Sequence, residues 1–221
     1  MSTTESIVAI PLWISLKTAL AATVLSGVLG ILVARWRMRS VSPGAHVLDA
    51  FLLLPLALPP TVMGMLLLLA FGRKSPIGSA LEQIGTTFVY SWPGAVLAAF
   101  VVSFPIAYQT AKGAFRQLDG ALLDAAHLFS GSEWRILRRI MLPLAWPGIA
   151  AGLILTFMRA LGEFGATVMI AGNIPGRTQT APVAIFFAVE SGDIRSGMIL
   201  SAALLILSFA AILVVTRLQR H

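Results

Sequence analysis

The chain has 221 residues, of which 57% are hydrophobic and 11% charged. A soluble domain carries about 25% charged and about 45–50% apolar residues. With a mean hydropathy of +0.89, this composition excludes a disordered chain and argues against a water-soluble globule. The 16 Lys and Arg against 9 Asp and Glu would suggest nucleic acid in a soluble protein; here they point to basic residues gathered on one membrane face. The absence of cysteine excludes disulfides and thiolate chemistry, and His46, His127 and His221 form no metal-ligand spacing.

A membrane span needs about 20 mostly apolar residues, because the hydrocarbon layer is about 30 Å thick and a helix rises about 1.5 Å per residue. The first stretch that qualifies covers residues 12–34, with Lys17 near one end where it can snorkel. The segment before it holds Glu5 and no basic residue, unlike a signal peptide. The second stretch, residues 50–71, is uncharged but contains Leu58-Pro59-Pro60-Thr61. Two prolines remove two helix donors and free carbonyls. Irregular backbone at membrane depth is tolerated only against protein or a water-filled cavity. The break therefore either lines a path, with Thr61 offering a hydroxyl, or is a simple kink. The third stretch covers residues 92–111.

A polar segment of about residues 112–142 follows. Leu118, Ala121, Leu122, Ala125, Leu128 and Phe129 recur at helical spacing, which predicts a short amphipathic helix. A turn is expected at Ser130-Gly131-Ser132, then a second helical stretch, residues 133–140. Two readings stand for the amphipathic helix: it lies on lipid, or it is presented to a cytoplasmic partner.

Pro143 is expected to open the fourth span, which reaches Arg159 or beyond. Gly148 and Gly152 give it a small-residue face. Glu163 is the one acid in an otherwise apolar region, and Arg159 stands one turn before it. That pair either faces a path or moving contact, or clamps the span to a neighbour. Residues 172–193 lie outside or dip back into the membrane, since 182–189 is too short to cross. Residues 196–216 form the fifth span.

The runs are continuous and too long for barrel strands, so the expected fold class is an all-α polytopic membrane helix bundle with five transmembrane helices. No repeat or linker divides the chain, so residues 1–221 read as a single transmembrane domain. Orientation follows the basic residues. With the N-terminus outside, Arg35, Arg37, Arg39, Lys112, Arg116, Arg135, Arg138, Arg139, Arg217 and Arg220 face the cytoplasm, against Arg73, Lys74, Arg177 and Arg195 outside. The expectation is N-out, C-in.

The polar segment also carries a recognisable pattern. Asp124-Ala125-Ala126, three residues, Ser130, nine residues, Ile140-Met141-Leu142-Pro143 resembles the coupling loop of ABC importer permeases. That loop reads Glu-Ala-Ala, three residues, Gly, nine residues, Ile-x-Leu-Pro. Asp124 stands for Glu and Ser130 for Gly; Gly131 follows at once and can supply the permissive backbone. Ser15-Leu16-Lys17, the stretch from Leu58 to Gly64, the stretch from Arg159 to Thr167 and the stretch from Asn173 to Thr180 narrow the resemblance to the molybdate/sulfate permease family, over roughly residues 12–188.

The resemblance implies a type I importer permease fold with no catalytic residue. ATPase coupling would fall on Asp124, Ala125, Ala126, Ser130, Gly131, Ile140, Leu142 and Pro143. The translocation path would involve Pro59, Pro60, Thr61, Arg159, Glu163 and Thr167. Implied partners are a second permease copy (a homodimer), two cytoplasmic ATPase subunits holding ATP and Mg, and an extracytoplasmic oxyanion-binding protein, all at a bacterial inner membrane. No nucleic acid or metal is expected. None of Lys17, Lys74 and Lys112 follows a glycine, so the chain has no G-x-x-x-x-G-K-[ST] loop of its own to cradle ATP.

Molybdate is the expected cargo. Sulfate, thiosulfate or tungstate permeases are alternatives within the family. A proton-coupled secondary transporter would want several intramembrane acids and an internal repeat; one Glu and no repeat argue against it. A membrane scaffold without transport is the remaining alternative.

Overall fold

The computed structural model describes residues 3–38, 44–129 and 132–218. The expected turn residues Ser130 and Gly131 therefore lie outside the described residues. Helices account for most of what is described, and no strand occurs among those residues. In chain order they are α1 (Thr3–Met38), α2 (Gly44–Ala57), α3 (Pro60–Phe71), α4 (Pro76–Gln83), α5 (Trp92–Arg116) and α6 (Gly120–Phe129). Then come α7 (Glu133–Ile136), α8 (Leu142–Leu161), α9 (Gly165–Ala171), α10 (Ala181–Glu190) and α11 (Ile194–Leu218).

Four helical runs are long and apolar enough to cross a membrane: 8–38, 92–116, 133–161 and 194–217. The fifth candidate span is the pair α2 and α3, bent by 114°. The cause is Pro59-Pro60. Pro59 is extended (φ −56°, ψ 138°) and stops α2, while Pro60, which has no N–H to satisfy, opens α3. The interruption expected from the sequence is therefore a sharp reversal of direction.

The bundle is built around α5, two-thirds buried, whereas α11 is 11% buried and lies at the edge. Close approach to α5 depends on small residues. A Cβ on Gly30 of α1 would come within 2.9 Å of the Tyr108 nitrogen. One on Gly152 of α8 would overlap Thr110, and Gly148 faces Ala114. The small-residue face predicted for the fourth span is thus its contact with α5. Midway along, Ser26 and Ser103, both fully buried, share a hydrogen bond of 3.3 Å. Helices α1 and α5 run parallel, since Trp92 meets Thr18 at one end and Tyr108 meets Gly30 towards the other.

Pro143 stands in the first turn of α8, as expected, but the helical run begins earlier, at Glu133. A wide π-turn at Leu137–Met141, in which the Leu142 N–H donates to the Leu137 carbonyl, absorbs the missing proline donor. The predicted apolar face of α6 is turned largely outward, as both readings of it expect. Leu118, Leu123 and Ala126 join the core beside Phe115, Leu137 and Met141, while Leu122 is 43% and Leu128 86% exposed.

Candidate translocation and coupling elements

The two irregular points of the bundle sit against each other. The α2–α3 break lies at Pro59-Pro60, and a second break, Gly162-Glu163-Phe164, separates α8 from α9. Gly165, the first residue of α9, touches the start of α3: a Cβ there would lie 3.1 Å from the Pro60 Cβ and 3.1 Å from the Thr61 nitrogen. One turn further on, a Cβ on Gly64 would meet Met169 at 2.7 Å and Ala166 at 2.8 Å. Both glycines are therefore needed for contact between these half-helices. Met63 and Leu67 of α3 bury against Ala166 and Ile170 of α9, so the two move as one packed unit or not at all.

Glu163 lies inside this junction, 2% exposed. One carboxylate oxygen accepts from Arg159 at 2.7 Å and the other from the Ala166 N–H at 2.8 Å. The carboxylate thus closes the gap between α8 and α9 and satisfies a donor at the start of α9. A charge at membrane depth costs about 2.5–3.5 kcal/mol on insertion scales, less when paired; here both oxygens are paired. Thr61 and Pro59 are exposed beside the junction, whereas Thr167 is 1% exposed and packs inside it. Of the path residues predicted from sequence, Arg159 and Glu163 pair with each other, and Pro60 and Thr61 meet Gly165, two residues beyond Glu163.

The segment that carries the expected coupling pattern is held from two sides. Glu133, at the start of α7, receives Arg35 of α1 at 2.5 Å and His127 of α6 at 3.1 Å. The other ring nitrogen of His127 lies 2.6 Å from the Leu123 carbonyl. This fixes α6 against the run that continues into α8. Asp124 is exposed, Ala125 is half-buried and Ala126 is buried. Ile140 and Leu142 are half-buried and pack on the core, and Pro143 is exposed. The outward surface of α6 is therefore Leu122, Asp124 and Leu128.

Sequence reasoning missed one cluster. Asp49 of α2 accepts from Arg37 Nε at 2.8 Å and Nη2 at 3.1 Å, from the Tyr108 hydroxyl at 2.5 Å and from Lys112 Nζ at 2.6 Å. Lys112 also reaches the Tyr108 hydroxyl at 3.2 Å. One carboxylate thus joins α1, α2 and α5 at the end of the bundle that also carries the Arg35–Glu133 contact. The signal available was a lone acid within an apolar helix, the same signal that singled out Glu163. By sequence, Arg37 and Lys112 count only among the basic residues expected to face the cytoplasm.

On the opposite side, residues 172–180 form a turn tied by its own side chains, with the buried Thr180 hydroxyl left unpaired. Gln179 donates to Asn173 at 2.8 Å, and Thr178 accepts from the Ile174 N–H at 3.2 Å. The segment is anchored where the Ala181 N–H donates to Ser15 of α1 at 2.7 Å. The loop before α5 is pinned as well, since the Tyr90 N–H donates to the Ile170 carbonyl at 2.9 Å. Among the described residues no group of three or more metal-ligating side chains occurs.

The structure is thus an all-helical bundle with membrane-length apolar helices, two apposed helix breaks and an outward-facing helix pair held by Glu133, the make-up of an integral membrane transport component. The chain belongs to the family of binding-protein-dependent transport system inner membrane components, whose pattern matches residues 26–221. Similar proteins narrow this. The molybdenum transport system permease protein ModB of Escherichia coli K12 is 43% identical over 198 residues, covering 89% of this chain and 85% of that protein. The "Probable sulfate transport system permease protein cysT" of Chlorokybus atmophyticus is more distant, 35% identical over 88% of this chain and 68% of its own length. The fold matches a chain from inward-facing structures of the MetNI methionine ABC transporter, with a TM-score of 0.73 at 16% identity, covering 100% of this chain and 98% of that one. The type I importer permease fold expected from the sequence is the fold found, with four candidate spans and the bent pair α2–α3 as the candidate fifth.

Proposed function

We propose that this chain is the permease subunit of an ATP-driven importer that carries molybdate into the cytoplasm. The observation that carries the reading is the coupling segment. Its pattern from Asp124 to Pro143 sits on a helix pair held by Glu133, with Leu122, Asp124 and Leu128 turned outward. The high identity to ModB over most of both chains supports molybdate over sulfate.

Molybdate is a dianion. Bringing two negative charges in against about 100 mV, inside negative, costs roughly 4.6 kcal/mol, so a passive pore would leak it outward. The chain has no phosphate-cradling loop of its own; the energy comes from two cytoplasmic ATPase subunits that bind ATP and Mg. These grip the coupling segments of two permease copies, placed about a two-fold axis in a bacterial inner membrane with N-out, C-in topology. ATP closure draws the segments together and turns the path outward. A loaded extracytoplasmic binding protein then delivers the oxyanion, and hydrolysis returns the path inward.

In this scheme Asp124, Ala125, Ala126, Ser130, Gly131, Ile140, Leu142 and Pro143 belong to the coupling surface and its supports. The junction of Pro59, Pro60, Thr61, Arg159, Glu163 and Thr167 is the hinge beside the path. The whole chain acts as a single permease domain. The test is ATP hydrolysis by the reconstituted complex with binding protein added. Molybdate-loaded binding protein should stimulate hydrolysis, and Leu128→Glu should abolish that stimulation while the chain still inserts. Unchanged stimulation in that variant would remove the coupling assignment.

A further inference from the structure

The parallel pair α1 and α5 leaves an apolar groove of about 740 Å³ open on the bundle surface. Leu20, Val24 and Leu29 line one side, and Trp92, Val96 and Phe100 the other. From Leu20 to Leu29 is about 14 Å at a rise of about 1.5 Å per residue, and the slot runs along both helix axes. It has the shape and lining of a seat for one fatty acyl chain.

One end of the groove is not apolar. Lys17 stands one turn before Leu20, and its Nζ lies 4.9 Å from the centre of the Trp92 ring. The ring is fixed there, because Trp92 Nε1 donates to Thr18 at 3.0 Å. Among the described residues no carboxylate pairs with Lys17. Trp92 opens α5, and Lys112 comes about 30 Å further along it at helical rise, which is the thickness of the hydrocarbon layer. The Lys17–Trp92 pair therefore sits at one membrane interface, where tryptophan rings and lysine heads concentrate.

We propose that this groove binds an anionic phospholipid, with one acyl chain between α1 and α5 and its phosphate on Lys17. A neutral lipid would fill the slot but leave the ammonium without a net counter-charge. A second copy of the chain, related by a two-fold axis along the membrane normal, would bring its own Lys17 to the same depth and set like charges together.

The test uses the assembled complex in nanodiscs doped with phosphatidylglycerol or phosphatidylcholine brominated in the acyl chains, at equal mole fraction. Bromine quenches a tryptophan it touches; the Trp92 share is taken as the difference from Trp92→Phe. The brominated phosphatidylglycerol should quench that share about fivefold more effectively, as about 1 kcal/mol for one basic residue at an anionic surface implies. Lys17→Gln should remove the preference and Lys17→Arg should keep it. Equal quenching by the two lipids in the native complex would overturn the proposal. So would a preference that survives in Lys17→Gln, or no quenching of Trp92 by either lipid, which would mean that protein covers the groove. Should Lys17→Gln fail to assemble, the contrast between the two lipids in the native and Lys17→Arg complexes still decides.

Discussion

Asp49, within α2, and Glu163, in the break between α8 and α9, are both acids in apolar surroundings, and the structure gives them different work. Asp49 joins three helices through Arg37, Tyr108 and Lys112. Removing its charge takes away the carboxylate that Arg37 and Lys112 share and weakens the tie between the three helices. Asp49→Asn should therefore lower the unfolding midpoint of the purified chain by several degrees and reduce its yield in the membrane; an unchanged midpoint would mean that the cluster carries little. Glu163 joins two consecutive helices through Arg159 and the Ala166 N–H. Glu163→Gln keeps an acceptor for Ala166 and loses the ion pair. The expected outcome is a complex that assembles but transports several-fold more slowly, read by uptake against recovered complex. Normal transport by a normally assembled complex would remove any role for the pair. At this scale the sequence was partly legible. Helical spacing of Arg159 and Glu163 announced their pair, because partners four residues apart share a face. The partners of Asp49 come from positions 37, 108 and 112, and nothing local to Asp49 points to them.

Among the elements, the α2–α3 break and the α6–α8 run carry the functional argument. The break was readable because two adjacent prolines leave a helix few alternatives. Its 114° bend and its contact with the α8–α9 break were not, since they depend on Gly64 and Gly165 meeting residues about a hundred positions away. Gly165→Val should force α9 from Pro60 and Thr61, and the core there tolerates little. It should impair transport more than insertion, measured as uptake per folded complex. The chain has no native cysteine, so Thr61→Cys should react with a small hydrophilic thiol reagent in at least one state of the transport cycle. Complete protection in every state would leave the break a kink packed away from water. The apolar spacing of α6 was read correctly as a helix, and Leu122 and Leu128 face outward as both readings of it require; that Leu123 and Ala126 pack inward was not announced. Periodicity reports that an apolar face exists, and α6 has two unequal ones, so spacing alone did not choose. Pro143 marks the first turn of α8 as its position suggested, but the π-turn before it lets the helical run begin at Glu133, which the sequence did not announce.

For the whole molecule, composition and run length were sufficient for an all-helical membrane bundle, and its five-span architecture followed from apolar stretches close to one bilayer thickness. The helices that cross are only partly buried in a single chain, α11 least of all, which suits a subunit that works against lipid and other subunits. The central claim is that movement of the oxyanion through this chain is driven by nucleotide hydrolysis elsewhere. The most direct measurement is uptake of labelled molybdate and labelled sulfate into proteoliposomes holding this chain, its ATPase subunits and its binding protein, with ATP inside or withheld. Accumulation of molybdate well above sulfate, only with ATP, is the predicted result. Molybdate entry that is independent of ATP, or no entry while the ATPase subunits fail to associate with the chain, would contradict the account.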